Sequence, residues 1–287
     1  MPAVFLAIIL QFTPQEAKLS FDTAQRLVEN FTPRDAGTAG GRIAAKWLAF
    51  SLKSLGVKNV QEDVFFADSP LGKMRFTNVV AEFKHSNTSK WTVLLSHYDT
   101  KRSIKCPGAN DGASTSALLV GLSKMLSSAK GLKKNYLLIW TDAEECIYDY
   151  SANDGLQGSK RAVEYVKSRH YDVENVICLD MLGDKDLKIE IPSNGSGRLA
   201  RTVIRAAKKI GEKKLVSLSP YHVIDDHVPF LKAGYEAIDL IDFSYGSAPG
   251  LNDYWHTEND VMKNISVGSL LKSGSLIAAV IEDIESR

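Results

Sequence analysis

Apolar runs too short to be helices constrain this chain most. YLLIW (Tyr136–Trp140) and VICL (Val176–Leu179) are hydrophobic at every position, and AIDLI (Ala237–Ile241) nearly so. A strand with one wet face alternates polar and apolar side chains, so uninterrupted runs of this length belong to strands covered on both faces. Between and around them lie helical segments: Thr38–Leu55, ended by Gly56, then Ser114–Leu126, Leu156–Arg169, Gly197–Ile210 and Val267–Ile284. Asn78–Phe83 and Trp91–Leu95 read as two further strands, joined by KHSNTSK as a hairpin loop. Buried strands alternating with amphipathic helices imply a three-layer α/β/α sandwich around a mostly parallel mixed sheet. No long linker or repeat interrupts the pattern, so residues 21–287 are expected to form one domain.

Charge narrows the partners. Thirty-five basic against 34 acidic residues leave a formal net charge of +1, which gives no electrostatic case for nucleic acid or an anionic membrane surface. The three cysteines, Cys106, Cys146 and Cys178, make neither a disulfide framework nor a CxxC site, so any metal must be held by carboxylates and histidines. Cys106 and Cys146 are expected as buried thiols, or as a disulfide if the protein is exported. Val4–Leu10 (VFLAIIL) is too short to span a bilayer but long enough for the core of a signal peptide. Residues 1–20 therefore read as a leader or a first buried helix. Secretion or a periplasmic location is the expectation, with the cytoplasm as the alternative. Oligomeric state is not legible.

In a sheet of this class, ligands bind beyond the carboxyl ends of the strands. Chemistry-bearing residues fall there repeatedly. WTVLLSHYD places His97 and Asp99 just past a strand, and PGANDG places Asp111 in a turn leading into a helix. YLLIWTDAEE delivers Glu144 and Glu145, VICLDMLGD delivers Asp180, IDDH carries Asp225, Asp226 and His227, and DYWHTEND carries Trp255 and His256. Two adjacent glutamates are most often a solvated loop. Here, at the mouth of a buried strand, they repel and lose hydration, and a cation would compensate. Histidine and carboxylate ligands without thiolates suit a catalytic zinc, and a neighbouring glutamate off the metal can move protons. Glu145 as ligand and Glu144 as proton shuttle divide the pair between those tasks.

The constellation resembles the zinc aminopeptidases with co-catalytic metals, whose order is HxD, a bridging Asp, EE, Asp and His. Here His97 with Asp99, Asp111, Glu144–Glu145, Asp180 and His256 match it, over roughly residues 34–270. Within that superfamily the chain is more similar to the glutaminyl-peptide cyclotransferases. CIYDYSANDGLQ makes a long link from the glutamate pair to the Gly-Ser of GLQGSK, Asp225 stands where aminopeptidases usually have Ser, and Trp255 precedes His256. HYDTK, with Lys101, also resembles the cyclase pattern. The chain departs from that pattern at Tyr150, where cyclases usually have Trp, and in the longer segment FSYGSAPGLND. GANDGAS is as common in bacterial aminopeptidase-like relatives.

As a cyclase, the resemblance implies one zinc on Asp111, Glu145 and His256, and a peptide or protein N-terminus as substrate. It implies Glu144 as the acid and base, Asp180 and Asp225 sharing its protons, and Trp255, Tyr150 and Lys101 on the substrate. As an aminopeptidase, the same resemblance implies two zincs, with His97 and Asp180 completing a second site and Asp111 bridging. A third class, an inactive peptide-binding protein on this fold, would be expected to lack one of Glu144, Glu145 or His256; none is missing.

Overall fold

In a computed structural model, residues 10–287 are described. Eight strands form one sheet: β1 (Asn59–Ser69), β2 (Gly72–Phe83), β3 (Lys90–His97), β4 (Asn135–Thr141), β5 (Asp172–Asp180), β6 (Ile189–Ile191), β7 (Val216–Leu218) and β8 (Ala237–Ile241). Their order across the sheet is β1-β2-β4-β3-β5-β8-β6-β7. The central block β4-β3-β5-β8 is parallel, whereas β1, β2 and β6 run antiparallel to a neighbour. The continuous apolar runs occupy that block, where both faces are covered.

The two cores follow from the two-residue period of the strands. Tyr136, Leu138 and Trp140 of β4 face one way, with Ile177 and Leu179 of β5. Against them pack α1 (Pro14–Phe31), α2 (Ala39–Ser54), α3 (Thr115–Ser128), α5 (Gly197–Lys209) and α7 (Val267–Glu285). Leu137, Ile139, Val176 and Cys178 face the other way, onto α4 (Gln157–Ser168) and α6 (His227–Lys232). The sandwich and the helices read from the sequence are present to within a few residues at each end.

The hairpin across KHSNTSK is not. β4 lies between β2 and β3, pairing antiparallel with the first and parallel with the second. The doubly buried β4 takes a central position, and the seven-residue segment carries the chain past it. The true hairpin is β1–β2, turned at Gly72 with φ +92°. β1 was not foreseen because an edge strand rich in polar side chains (Gln61, Glu62, Asp63, Asp68) shows no clear apolar period.

Val4–Ile9 of the apolar N-terminal run lie outside the described residues. Leu10 donates its N–H to Glu282 of α7 at 2.5 Å, and Phe12 is buried against Gly121 of α3 and Gly274 of α7. An added Cβ at Gly274 would meet the Phe12 ring at 2.2 Å, so only glycine admits this contact. Thr13 and Glu16 then form a capping box for α1, with Pro14 in its first turn. The expected boundary after residue 20 falls inside that helix. Among the described residues, no helix is long and apolar enough to cross a membrane.

Candidate active site

The parallel strands end together, and their ends converge on one cavity of about 290 Å³. β3 ends at His97, β5 ends at Asp180, and β4 runs out through Asp142 into the two glutamates. Ala143 adopts a left-handed conformation, φ +57°, turning the chain before the pair. Asp99 then accepts the backbone N–H of both Glu144 and Glu145, each at 3.2 Å. The same carboxylate lies 3.6 Å from His97 Nδ1, an ion-pair distance, so Asp99 faces His97 while fixing the glutamate backbone.

Asp111 sits in the bend Ala109–Ser114 that leads into α3. The fully buried Asp260 accepts the N–H of Asn110 at 2.7 Å and of Asp111 at 3.2 Å, with the Tyr245 hydroxyl at 2.8 Å. Arg34, also fully buried, donates to the carbonyls of Tyr98, Pro107 and Gly108. Neither Asp260 nor Arg34 was foreseen; HTEND contains Asp260, but nothing in that stretch points to the backbone it serves.

Two groups of candidate ligands share Asp111. Asp111, Glu145 and His256 bring ligand atoms within 4.8 Å of one another, and so do His97, Asp111 and Asp180. His256 Nε2 lies 2.7 Å from Glu145 Oε1 and 3.2 Å from Asp111 Oδ2. His256 holds a left-handed φ of +55°, and the Trp255 ring stacks on its imidazole at 3.9 Å.

The residues fit a cation. Asp111 Oδ2 and Glu145 Oε2 are buried without hydrogen-bond partners, and two carboxylates with an imidazole suit a divalent metal. Burial, with the Asp111 charge adding to it, pushes Glu145 up to about 7. Burial alone would lower His256, but the Asp111 and Glu145 carboxylates outweigh it and raise the imidazole to about 9. The pair therefore retains a proton at neutral pH, which a bound cation displaces.

The proton-handling groups face the same cavity. Glu144 is buried, and Oε1 accepts the Tyr150 hydroxyl at 2.9 Å. Burial raises its carboxyl well above the ordinary range, helped by Glu145, Asp225 and Asp226 and opposed by His97. Asp225 is raised by burial and then by Asp180 and Asp226, and Asp180 by burial against the opposing His97. Close carboxylates in a dry site cannot all ionise, so at least one of these keeps a proton near neutral pH.

Tyr150, Asp180, Asp225, Trp255 and His256 line the cavity, together with Ile224, Ile241 and Phe243. Lys101, expected at the substrate, is not among the lining residues. Its ammonium donates to the Cys146 carbonyl at 2.7 Å and lies 3.6 Å from Glu145 Oε2, tying down the loop after the glutamates. Asp226 accepts from the Thr141 hydroxyl beneath the cavity, which leaves Asp225 as the lining member of the pair. His227 is fully buried, and its Nε2 accepts from Asn194 at 3.0 Å, while Asn194 also clamps Val223. The three cysteines are free and buried.

A model of peptidase family M28 matches residues 78–281. The chain belongs to this family. It is 26% identical to a glutaminyl-peptide cyclotransferase-like protein of Bos taurus, over 81% of this chain and 67% of that protein. The solved glutaminyl cyclase of an Acidobacteriales bacterium superposes with a TM-score of 0.88 at 28% identity, covering 100% of this chain and 99% of that one. A leucine aminopeptidase precursor from Bacteroides thetaiotaomicron superposes at 0.83 with 22% identity, covering 96% and 99%, which is a likeness of fold.

Proposed function

We propose that this M28 chain is a zinc-dependent glutaminyl-peptide cyclotransferase, converting the N-terminal glutamine of peptides to pyroglutamate with release of ammonia. The observation that carries the reading is the pairing of Glu144 with Tyr150, opposite Asp225, in one small cavity. The link that carries Tyr150, and Asp225, are where the chain differs from the aminopeptidase pattern, whereas Glu144 is common to both. The likeness to the cyclotransferases named above supports it.

Asp111, Glu145 and His256 would hold the metal. Zinc there would supply the positive charge that polarises the γ-carboxamide carbonyl of the glutamine. Glu144 accepts a proton as the substrate's α-amine bonds to the γ-carboxamide carbon. It returns that proton to the departing nitrogen as the carbon–nitrogen bond breaks, so ammonia leaves and the five-membered lactam closes. A carboxyl that burial has raised takes up the amine proton more readily than a free glutamate would and can still return it. Asp180 and Asp225 hold and exchange the remaining protons. Trp255 and Tyr150 wall the cavity, keeping the folded-back glutamine in the attacking conformation and excluding water.

The His97, Asp111 and Asp180 group favours a second reading, an aminopeptidase with two metals. Ammonia release from a Gln-initiated dipeptide, beside hydrolysis of a Leu-initiated chromogenic amide, separates the two. Ammonia alone, with one zinc per chain, supports the cyclotransferase; amide hydrolysis alone, with two, overturns it.

The unit carrying this activity is residues 21–287 together with the start of α1, and export to the exterior or periplasm is the location that Val4–Leu10 supports. Because Phe12 is packed in the core, a leader cut would fall before it.

A further inference from the structure

A second cleft, of about 570 Å³, opens on the far side of Tyr150 and Ile224, both of which also line the active-site cavity. The two hollows therefore share a wall. The Tyr150 hydroxyl reaches Glu144 on one side, while the residue itself is 37% exposed and Ile224 is 55% exposed. Leu156, Val163, Val228 and Pro229 give the second cleft an apolar lining between α4 and α6.

Its charged rim is asymmetric. Lys160 is committed, donating to the carbonyls of Ser151, Ala152 and Gly155 at 2.9–3.0 Å and so shaping the loop that carries Tyr150. Glu164 is paired with Arg161 at 3.3 Å. Lys232, exposed at the end of α6, has no ion-pair partner among the described residues. Burial lowers Lys160, and the Lys232 charge lowers it further, which places the free ammonium beside the cleft.

Resting on the cyclotransferase reading, we infer that this cleft binds the residues following the N-terminal glutamine, and that it selects peptides with an apolar side chain followed by a carboxylate. A substrate with its first residue in the cavity leaves it over the Tyr150–Ile224 wall. Each further residue of extended chain advances about 3.5 Å, so the second and third enter the cleft. The apolar lining takes one side chain, and Lys232 pairs with the acid.

The test uses C-terminally amidated peptides, with ammonia release as the readout. Gln-Leu-Glu-amide should exceed Gln-Leu-Gln-amide about two- to fivefold in kcat/KM, the range of an exposed ion pair. Gln-Leu-Gln-amide should exceed Gln-Gly-Gly-amide by about tenfold or more. Lys232→Glu should abolish the first preference and Val228→Gln reduce the second, with glutaminamide turned over at the wild-type rate by both variants. Gln-Leu-Gln with a free C-terminus distinguishes a terminal from a side-chain carboxylate; a gain lost in Lys232→Glu supports the inference for either source. Equal kcat/KM across the peptides, or preferences unchanged in both variants, would overturn it and leave the cyclotransferase reading standing. No ammonia even from glutaminamide would overturn both.

Discussion

At the scale of single residues, the site depends on who neutralises whom. Glu144 belongs to neither candidate ligand group and is bonded to Tyr150, so Glu144→Gln should lower kcat by about 10²–10⁴ while zinc content by mass spectrometry stays at the wild-type level. Loss of zinc in that variant would make Glu144 a ligand instead. Asp260 has a different task. Asp260→Ala leaves the N–H groups of Asn110 and Asp111 and the Tyr245 hydroxyl buried without an acceptor. At about 1–3 kcal/mol for each, urea denaturation should show a loss of about 3 kcal/mol or more, with weaker metal binding as Asp111 loosens. This difference explains what was legible. Glu144, Glu145, Asp180 and His256 carry their chemistry in residue type and in position after a strand, and both are written in the sequence. Asp260 and Arg34 answer backbone groups, and which backbone groups are orphaned is known only once the loop is folded.

At the scale of elements, the legible ones are those buried on both faces or strongly periodic. β4, β5, α2 and α7 belong here, since each carries its whole pattern within itself. β1 and the β2–β4 pairing do not, because an edge strand takes its shape from a single neighbour and a seven-residue link leaves the neighbour open. The short helix α6 shows a further dependence. It opens at His227, whose imidazole is held down to about 4 by burial. Unfolded, the same group titrates near 6.5. Between these values the unfolded chain binds the proton and the folded one does not. The stability it contributes is thus complete above about pH 6.5 and lost as pH falls toward 4, by up to about 3 kcal/mol. The raised buried carboxylates act with the opposite sign over the same range, so the His227 contribution should appear in chemical denaturation from pH 7 to 4 as a difference. His227→Gln, which retains an acceptor for Asn194, should gain stability relative to the wild type as pH falls.

At the scale of the whole molecule, the strand ends gather Asp99, Asp111, Glu144, Glu145, Asp180, Asp225 and Asp226 in the buried interior, with few cations among them. A bound divalent ion offsets that repulsion and favours the folded state by mass action. Chelation should therefore lower the melting temperature, and zinc in excess should restore it; a melting temperature indifferent to both would separate the metal from the fold. The seating of Phe12 between Gly121 and Gly274 has a consequence for biosynthesis. Leu10 and Glu282, which bond to each other, are 272 positions apart. Residues 10–12 must wait for α7 to be made before their shell can close. Until then the polypeptide stays incompletely folded, the condition in which a chain can still be threaded through a membrane pore.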